Sequence, residues 1–205
     1  MRASREQVAA NREAIIVSAG QQFRKRGFDD VTIADVMKAA GLTHGGFYGY
    51  FGSKEALAAA VCERGIAESV AAVDAVAEQG GEGGGENGGP DAEPLLHRFV
   101  EDYVSARHRD SPDDGCSVAA LAQDAGRNSS EIQRVFATGV TGMAESLSRL
   151  RALDAPDRAP GAGPDFATLS TMIGALALSR AVAKADPGLS ETILEAARAH
   201  IENPA

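Results

Sequence analysis

Between Val31 and Lys54 the sequence gathers hydroxyls, an imidazole and a cation into one short stretch, VTIADVMKAAGLTHGGFYGYFGSK. The phenols of Tyr48 and Tyr50 suit a phosphate oxygen. The ring of His44 can hydrogen-bond a base edge or a phosphate. Lys54 adds an ammonium group at the first turn of a helix, where unpaired backbone N–H groups also favour anions. Gly45 and Gly46 are costly inside a helix, each by up to ~1 kcal/mol against alanine. Two accounts of them stand side by side: missing side chains let the backbone come close to a duplex, or the helix is weak and is held by the packing of Phe47. Nothing comparable points to catalysis. No nucleophile sits in a triad context, and the glycine run at 80–89 lacks the Lys-Ser/Thr of a phosphate cradle. His44, His97, His108 and His200 are scattered, with no Cys/His spacing for zinc. The expectation is a DNA-touching surface, with no enzyme activity, cofactor or metal.

The elements that must position these groups are legible nearby. Thr32 reads as an N-cap with Asp35 in the capping-box position, and Val31 and Val36 flank it as a hydrophobic staple. Ile33, Val36, Met37 and Ala40 recur at helical spacing. Gly41 stops that helix as a residue open to positive φ. Thr43 follows two residues later as the next cap, with Leu42 and Phe47 as a second staple. Helices joined so tightly cross steeply, the geometry that presents the second to a DNA groove. Before them a helix from about Ser4 to Arg26 keeps Val8, Ile15, Ala19 and Phe23 on one face, and Gly27 ends it. After them Ser53 caps a helix through Leu57, Val61 and Ile66 towards Ala77. Arg2 and Arg5 leave two readings open, an arm in the minor groove or, more plainly, a flexible solvated tail.

These residues resemble the TetR/AcrR family of bacterial transcriptional regulators. The resemblance rests on Phe23, Gly27-Phe28, Thr32-Ile33-Ala34, Ala40-Gly41-Leu42-Thr43, Phe47-Tyr48, Tyr50-Phe51 and Ser53-Lys54-Glu55-Ala56-Leu57, and spans roughly residues 10 to 60. It implies phosphate contacts at Thr32, Thr43, Tyr48, Tyr50 and Lys54, roles that can coexist with capping. Together with His44 and Gly45 they form the expected DNA-binding set. It also implies an all-α fold of about nine helices: a three-helix head with a helix-turn-helix, residues 1–52, and a ligand-binding and dimerisation body, residues 53–205. The implied function is a DNA-binding transcriptional regulator, a homodimeric repressor on a pseudo-palindromic operator, released by a small molecule or electrophile. An all-α small-molecule-binding protein without specific DNA binding is the alternative.

Charge follows the same division. Residues 1–64 hold 9 Lys+Arg against 7 Asp+Glu, and residues 65–205 hold 11 against 22, for a chain total of −9. A mildly basic head on an acidic body suits a protein that touches DNA at one end. No apolar run approaches the ~20 residues of a membrane span, the start is no secretory signal, and two cysteines suit a reducing cytoplasm.

The body reads as five further helices. A flexible Gly-rich loop, 79–94, precedes a helix from Pro94 to about Arg109. Next come a short helix over 116–125 ended by Gly126 and a long one opened by Asn128 with Glu131. A Pro/Gly/Asp-rich loop from Asp154 to Asp165 leads to Phe166–Lys184, and Ser190 caps the last. The resemblance places an effector pocket among these helices, with Phe99, Tyr103, Cys116, Leu121, Phe136 and Met143 as candidates. Cys116 follows the Asp113-Asp114-Gly115 turn at a helix start, and some family members sense electrophiles through a cysteine in a Gly-Cys context. It is therefore also the candidate redox sensor, against the plainer role of a small buried residue. Leu169, Met172, Ile173, Leu176 and Arg180, with Ile193 and Ala197, are the candidate dimer interface, a four-helix bundle about a twofold axis in the family's manner. Two heads would then reach successive major-groove faces about 34 Å apart.

Overall fold

The computed structural model describes residues 4–82, 93–154 and 163–203. Arg2, most of the Gly-rich loop and most of the 154–165 loop lie outside the described residues. Among the described residues there is no strand, and nine α-helices and one 3-10 helix carry the chain: α1 (Arg5–Arg26), α2 (Ile33–Ala39), the 3-10 helix His44–Gly49, α3 (Lys54–Glu82), α4 (Leu95–Tyr103), α5 (Ala106–Asp110), α6 (Ser117–Gly126), α7 (Ser130–Asp154), α8 (Phe166–Val182) and α9 (Pro187–Glu202). None of the helices described is long and apolar enough to cross a membrane. The described backbone forms two compact units, Met1–Ile66 with Pro112–Ala137, and Ala67–Ser111 with Thr138–Ala205. Helices α3 and α7 contribute residues to both.

In the first unit Ser4 caps α1 by accepting from the Gln7 N–H at 3.1 Å, and Gly27 ends it at φ 81°. Ile15, Ile16, Ala19 and Phe23 are buried, and Phe23 meets Phe28 edge-on with centroids 5.2 Å apart. Val8, expected on the same face, is 41% exposed, because the first turns of α1 run out beyond the core. Helix α6 packs against α1 within this unit. Arg24 of α1 donates to the Asp113 carbonyl and to Ser117 Oγ, so the start of α6 is tied to the end of α1.

In the second unit α8 packs along α9, α4 meets α9 and α5 meets α8. Four boundaries differ from the sequence reading. The expected helix 94–109 breaks at Val104 and Ser105. Ser105 caps α5 by accepting from the His108 N–H at 3.2 Å and donates to the Asp102 carbonyl, a local alternative to a continuing helix. The cap at α7 is Ser129, which accepts from Ile132 N–H, while the Asn128 side chain accepts from the neighbouring Ser129 N–H rather than from the first turn of α7. The cap of α9 is Asp186, with Pro187 leading the helix; Ser190 is buried in the first turn and donates to the Ser179 carbonyl. Helix α3 also continues to Glu82, past the expected loop start at residue 79.

Candidate nucleic-acid interface

The helix-turn-helix is built from its caps upward. The Thr32 hydroxyl accepts from the Asp35 N–H at 3.1 Å, and the Asp35 carboxylate accepts from the Thr32 N–H at 3.1 Å, closing the capping box. The Thr32 hydrogen bonds hold the Asp35 carboxyl below the usual carboxylate range. At the other end of α2, Gly41 sits at φ 71°. Its N–H reaches the Lys38 carbonyl at 3.1 Å, and the Leu42 N–H reaches Met37 at 2.8 Å. That pair of bonds is a Schellman stop, which fixes the angle at which the chain leaves. Ser53 caps α3 by accepting from the Ala56 N–H at 3.1 Å.

Phe47 seats the 3-10 helix. It is fully buried, stacks on Phe51 at 5.9 Å and meets Tyr48 edge-on at 5.3 Å. The Arg12 guanidinium covers Phe51 at 4.9 Å. Around Phe47 the outward surface is made of Thr43, His44, Gly45 and Tyr48, the last 68% exposed. Thr43 makes no side-chain capping bond, so its hydroxyl is not spent on the helix it precedes. A Cβ placed on Gly45 would meet nothing within 4 Å. Gly45 is therefore not required by the packing of the head. Tyr50 is half-buried and its phenol oxygen accepts from Asn11 of α1 at 2.8 Å. Lys54 begins α3, and its ammonium lies 3.5 Å from the Asp29 carbonyl. All seven expected DNA-facing residues thus lie in the first unit. Asn11 was not among them; an amide on the exposed part of a helix gives no sequence signal until its partner is known.

The six candidate pocket residues divide. Cys116, Leu121 and Phe136 belong to the first unit, and Phe99, Tyr103 and Met143 to the second. Cys116 stands at the N-cap position of α6 without a side-chain capping bond and is buried; Cys62, buried in α3, has its thiol pushed up to about 12 by burial and by Asp124. Of the candidate dimer residues, Leu169, Met172 and Leu176 are turned into their own unit and buried there, while Ile173, Arg180, Ile193 and Ala197 are half-buried. The outward face of α8 consists instead of Phe166, Ser170, Ala177, Leu178 and Ala181. Arg180 sets this rotation by donating to the His108 and Arg109 carbonyls at 2.9 and 3.0 Å. A polar cluster also forms that no sequence spacing announced. His97, Glu101 and Glu202 bring their ligand atoms within 4.8 Å of one another, with Glu101 paired to Arg198 at 3.0 Å and His97 bridging Glu93 and Glu202.

A helix-turn-helix head whose outward groups do not serve its own packing, with α-helices making up the other elements among the described residues, defines a class: all-α helix-turn-helix proteins. Residues 15–61 match the family described as bacterial regulatory proteins, tetR family. Two Bacillus subtilis proteins described as uncharacterized HTH-type transcriptional regulators are similar over the same region. YdgC is 41% identical over 47 residues, 23% of this chain and 24% of that protein, and YvdT is 38% identical over 58 residues, 28% and 30%. The matched stretch thus spans under a third of these relatives' length. The fold is that of E. coli NemR in its reduced form, with a TM-score of 0.69 at 21% identity over 94% of this chain and 96% of that one. The likeness to the tetR family thus lies in the head, residues 15–61, and the likeness to NemR is one of all-α fold.

Proposed function

We propose that this chain is a DNA-binding transcriptional regulator of the cytoplasm, acting as a homodimeric repressor on a pseudo-palindromic operator and released by a small molecule. The observation that carries the reading is the outward surface of the 3-10 helix. Thr43, His44, Gly45 and Tyr48 are exposed there together, and neither the Thr43 hydroxyl nor the missing Gly45 side chain serves the fold. Lys54 and the N-terminus of α3 add positive potential beside them. In this arrangement His44 reads a base edge and Thr32, Thr43, Tyr48, Tyr50 and Lys54 hold phosphates.

A single short helix reaches few phosphates, and dimerisation doubles them. The outward face of α8 supports that step: Phe166 is 46% exposed, Leu178 61%, and the residues between are small enough for a second helix to approach closely. Leu178→Glu is expected to convert a dimer to monomers in sedimentation; an unchanged mass would remove this face from the interface. The effector is a small organic molecule or an electrophile. Phe99, Tyr103 and Met143 of the second unit and Cys116, Leu121 and Phe136 of the first are the candidates to contact it, with Cys116 the nucleophile if it is an electrophile. Effector release requires a differential affinity for two states of the protein.

Selection of bound sequences from a random duplex library at two salt concentrations tests the function directly. An enriched palindrome whose affinity falls steeply with salt is the expected result. No enrichment at either salt, from folded protein, would refute it and leave an all-α ligand-binding protein.

A further inference from the structure

We infer that Asn11, on the exposed N-terminal part of α1, is a positioning residue that turns the Tyr50 hydroxyl into a fixed donor for a DNA phosphate. The inference rests on the DNA-binding reading and adds a residue to it. Helix α1 is exposed from Ser4 through Ala10, and Asn11 is the first residue along it to be half-buried. Its amide nitrogen donates to the Tyr50 phenol oxygen at 2.8 Å. Its amide oxygen accepts from Gln7 Nε2 at 2.9 Å, and Gln7 lies one turn earlier on the same face. The backbone N–H of Gln7 separately donates to Ser4 Oγ at 3.1 Å, the helix cap.

In this arrangement the side-chain bonds run from Gln7 through Asn11 to Tyr50. With Gln7 donating to its oxygen, Asn11 keeps its nitrogen towards Tyr50. A phenol has one hydrogen to give, and an oxygen that already accepts from Asn11 must send that hydrogen away from the amide. The Tyr50 O–H is thereby prepared as an outward donor before any duplex arrives, and donation from Asn11 polarises it further. An O–H···O⁻ bond to phosphate is of the stronger, charge-assisted kind. Packing supplies no competing reason for an amide here, since the buried face of α1 begins at Ile15.

The test uses the full-length protein and the duplex obtained by selection, in a double-mutant cycle of Asn11→Ala, Tyr50→Phe and the double variant. Affinity is measured at two salt concentrations alongside thermal melting. Tyr50→Phe should weaken binding about tenfold and Asn11→Ala about fivefold, the scale of one hydrogen bond to a charged and one to a neutral group. The double variant should bind like Tyr50→Phe alone. All four proteins should share one salt slope, because neutral donors release no counterions, and their melting midpoints should agree. Multiplying losses in the double variant, or an Asn11→Ala protein that binds like the parent, would overturn the inference while leaving the DNA-binding reading intact. A parent protein that binds no duplex would overturn both.

Discussion

Replacing Gly45 by alanine separates two accounts of a glycine in the recognition helix, because they predict different outcomes. The residue is exposed, and it is not among the described glycines at positive φ, which are Gly27, Gly41 and Gly163. An added Cβ meets nothing within 4 Å. Alanine therefore costs no strain in the protein, and by restricting the unfolded chain it should stabilise by ~0.4–1 kcal/mol. For a chain of this length that raises the melting midpoint by about 1–4 °C. If Gly45 is there so that backbone lies against the duplex, the new methyl group must push the two surfaces apart. Overpacking of a close-fitted contact costs ~1–3 kcal/mol, a loss of about 5- to 150-fold in affinity. Calorimetric melting and fluorescence anisotropy on a selected duplex read both numbers from one preparation. A higher melting midpoint with reduced affinity is the expected pair. A higher midpoint with unchanged affinity would refute the close approach and leave Gly45 as a poor helix former held in place by Phe47. Gly41→Ala is the control: at φ 71° alanine is strained by ~1–2 kcal/mol, so melting should fall.

Lys54→Ala should weaken binding to all duplexes alike and reduce the logarithmic salt slope by about 0.9, the signature of one lost phosphate cation; an unchanged slope would remove Lys54 from the interface. His44→Ala should change which bases are enriched in a repeat selection, and an identical motif would exclude it from base readout. Gly65→Ala drives a Cβ into the Oγ of Ser117, a fully buried residue, and to 3.0 Å from its Cβ. It should destabilise by ~1–3 kcal/mol, with Ser117→Gly restoring much of the loss; a parent-like melting midpoint would contradict the close approach of α3 and α6. His108 is held below its ordinary value of 6.5, first by burial, so its neutral form is the one the fold accommodates. That stability is present above 6.5 and is lost as pH falls below it; His108→Asn should shrink the drop in melting temperature between neutral pH and about pH 5, and an undiminished drop would place the cause elsewhere.

The parts of this protein that were readable in its sequence are those whose partners lie within a few residues. The Thr32–Asp35 box, the Gly41 stop and the Ser53 cap each satisfy backbone groups within five positions. Their chemistry is spelled out locally, and the helix-turn-helix follows from them. The break between α4 and α5 was hidden by a run of helix-compatible residues, and it is stabilised from far along the chain. Arg198 donates to the Val104 carbonyl and Arg180 to the carbonyls of His108 and Arg109, groups 94, 72 and 71 positions away. The start of α4 is likewise capped by Asp154, whose carboxylate accepts from the Leu95 and Leu96 N–H groups at 2.7 and 2.9 Å. Asp186-Pro187 is different: an acid cap followed by a proline at the first helical position is a local signal, and a stronger one than Ser190.

The orientation of α8 shows why its apolar content alone gives no face. Apolar and small residues surround it, so the period that separates an inner from an outer stripe is absent from its sequence. One charge breaks the symmetry. Arg180 lies near the end of the helix, and its guanidinium finds the carbonyls that terminate α5, where the negative end of that helix favours a cation. Fixing Arg180 there fixes the rotation of every residue before it. Leu176, Met172 and Leu169, at four, eight and eleven positions upstream, fall on the same side and are buried with it. Phe166, Ser170, Ala177 and Leu178 are carried to the opposite side. The larger side chains are thus spent on the unit's own core. What remains outside is a mostly small-residue surface framed by Phe166 and Leu178, and any second helix that docks on α8 must be recognised by close backbone approach rather than by interdigitated leucines.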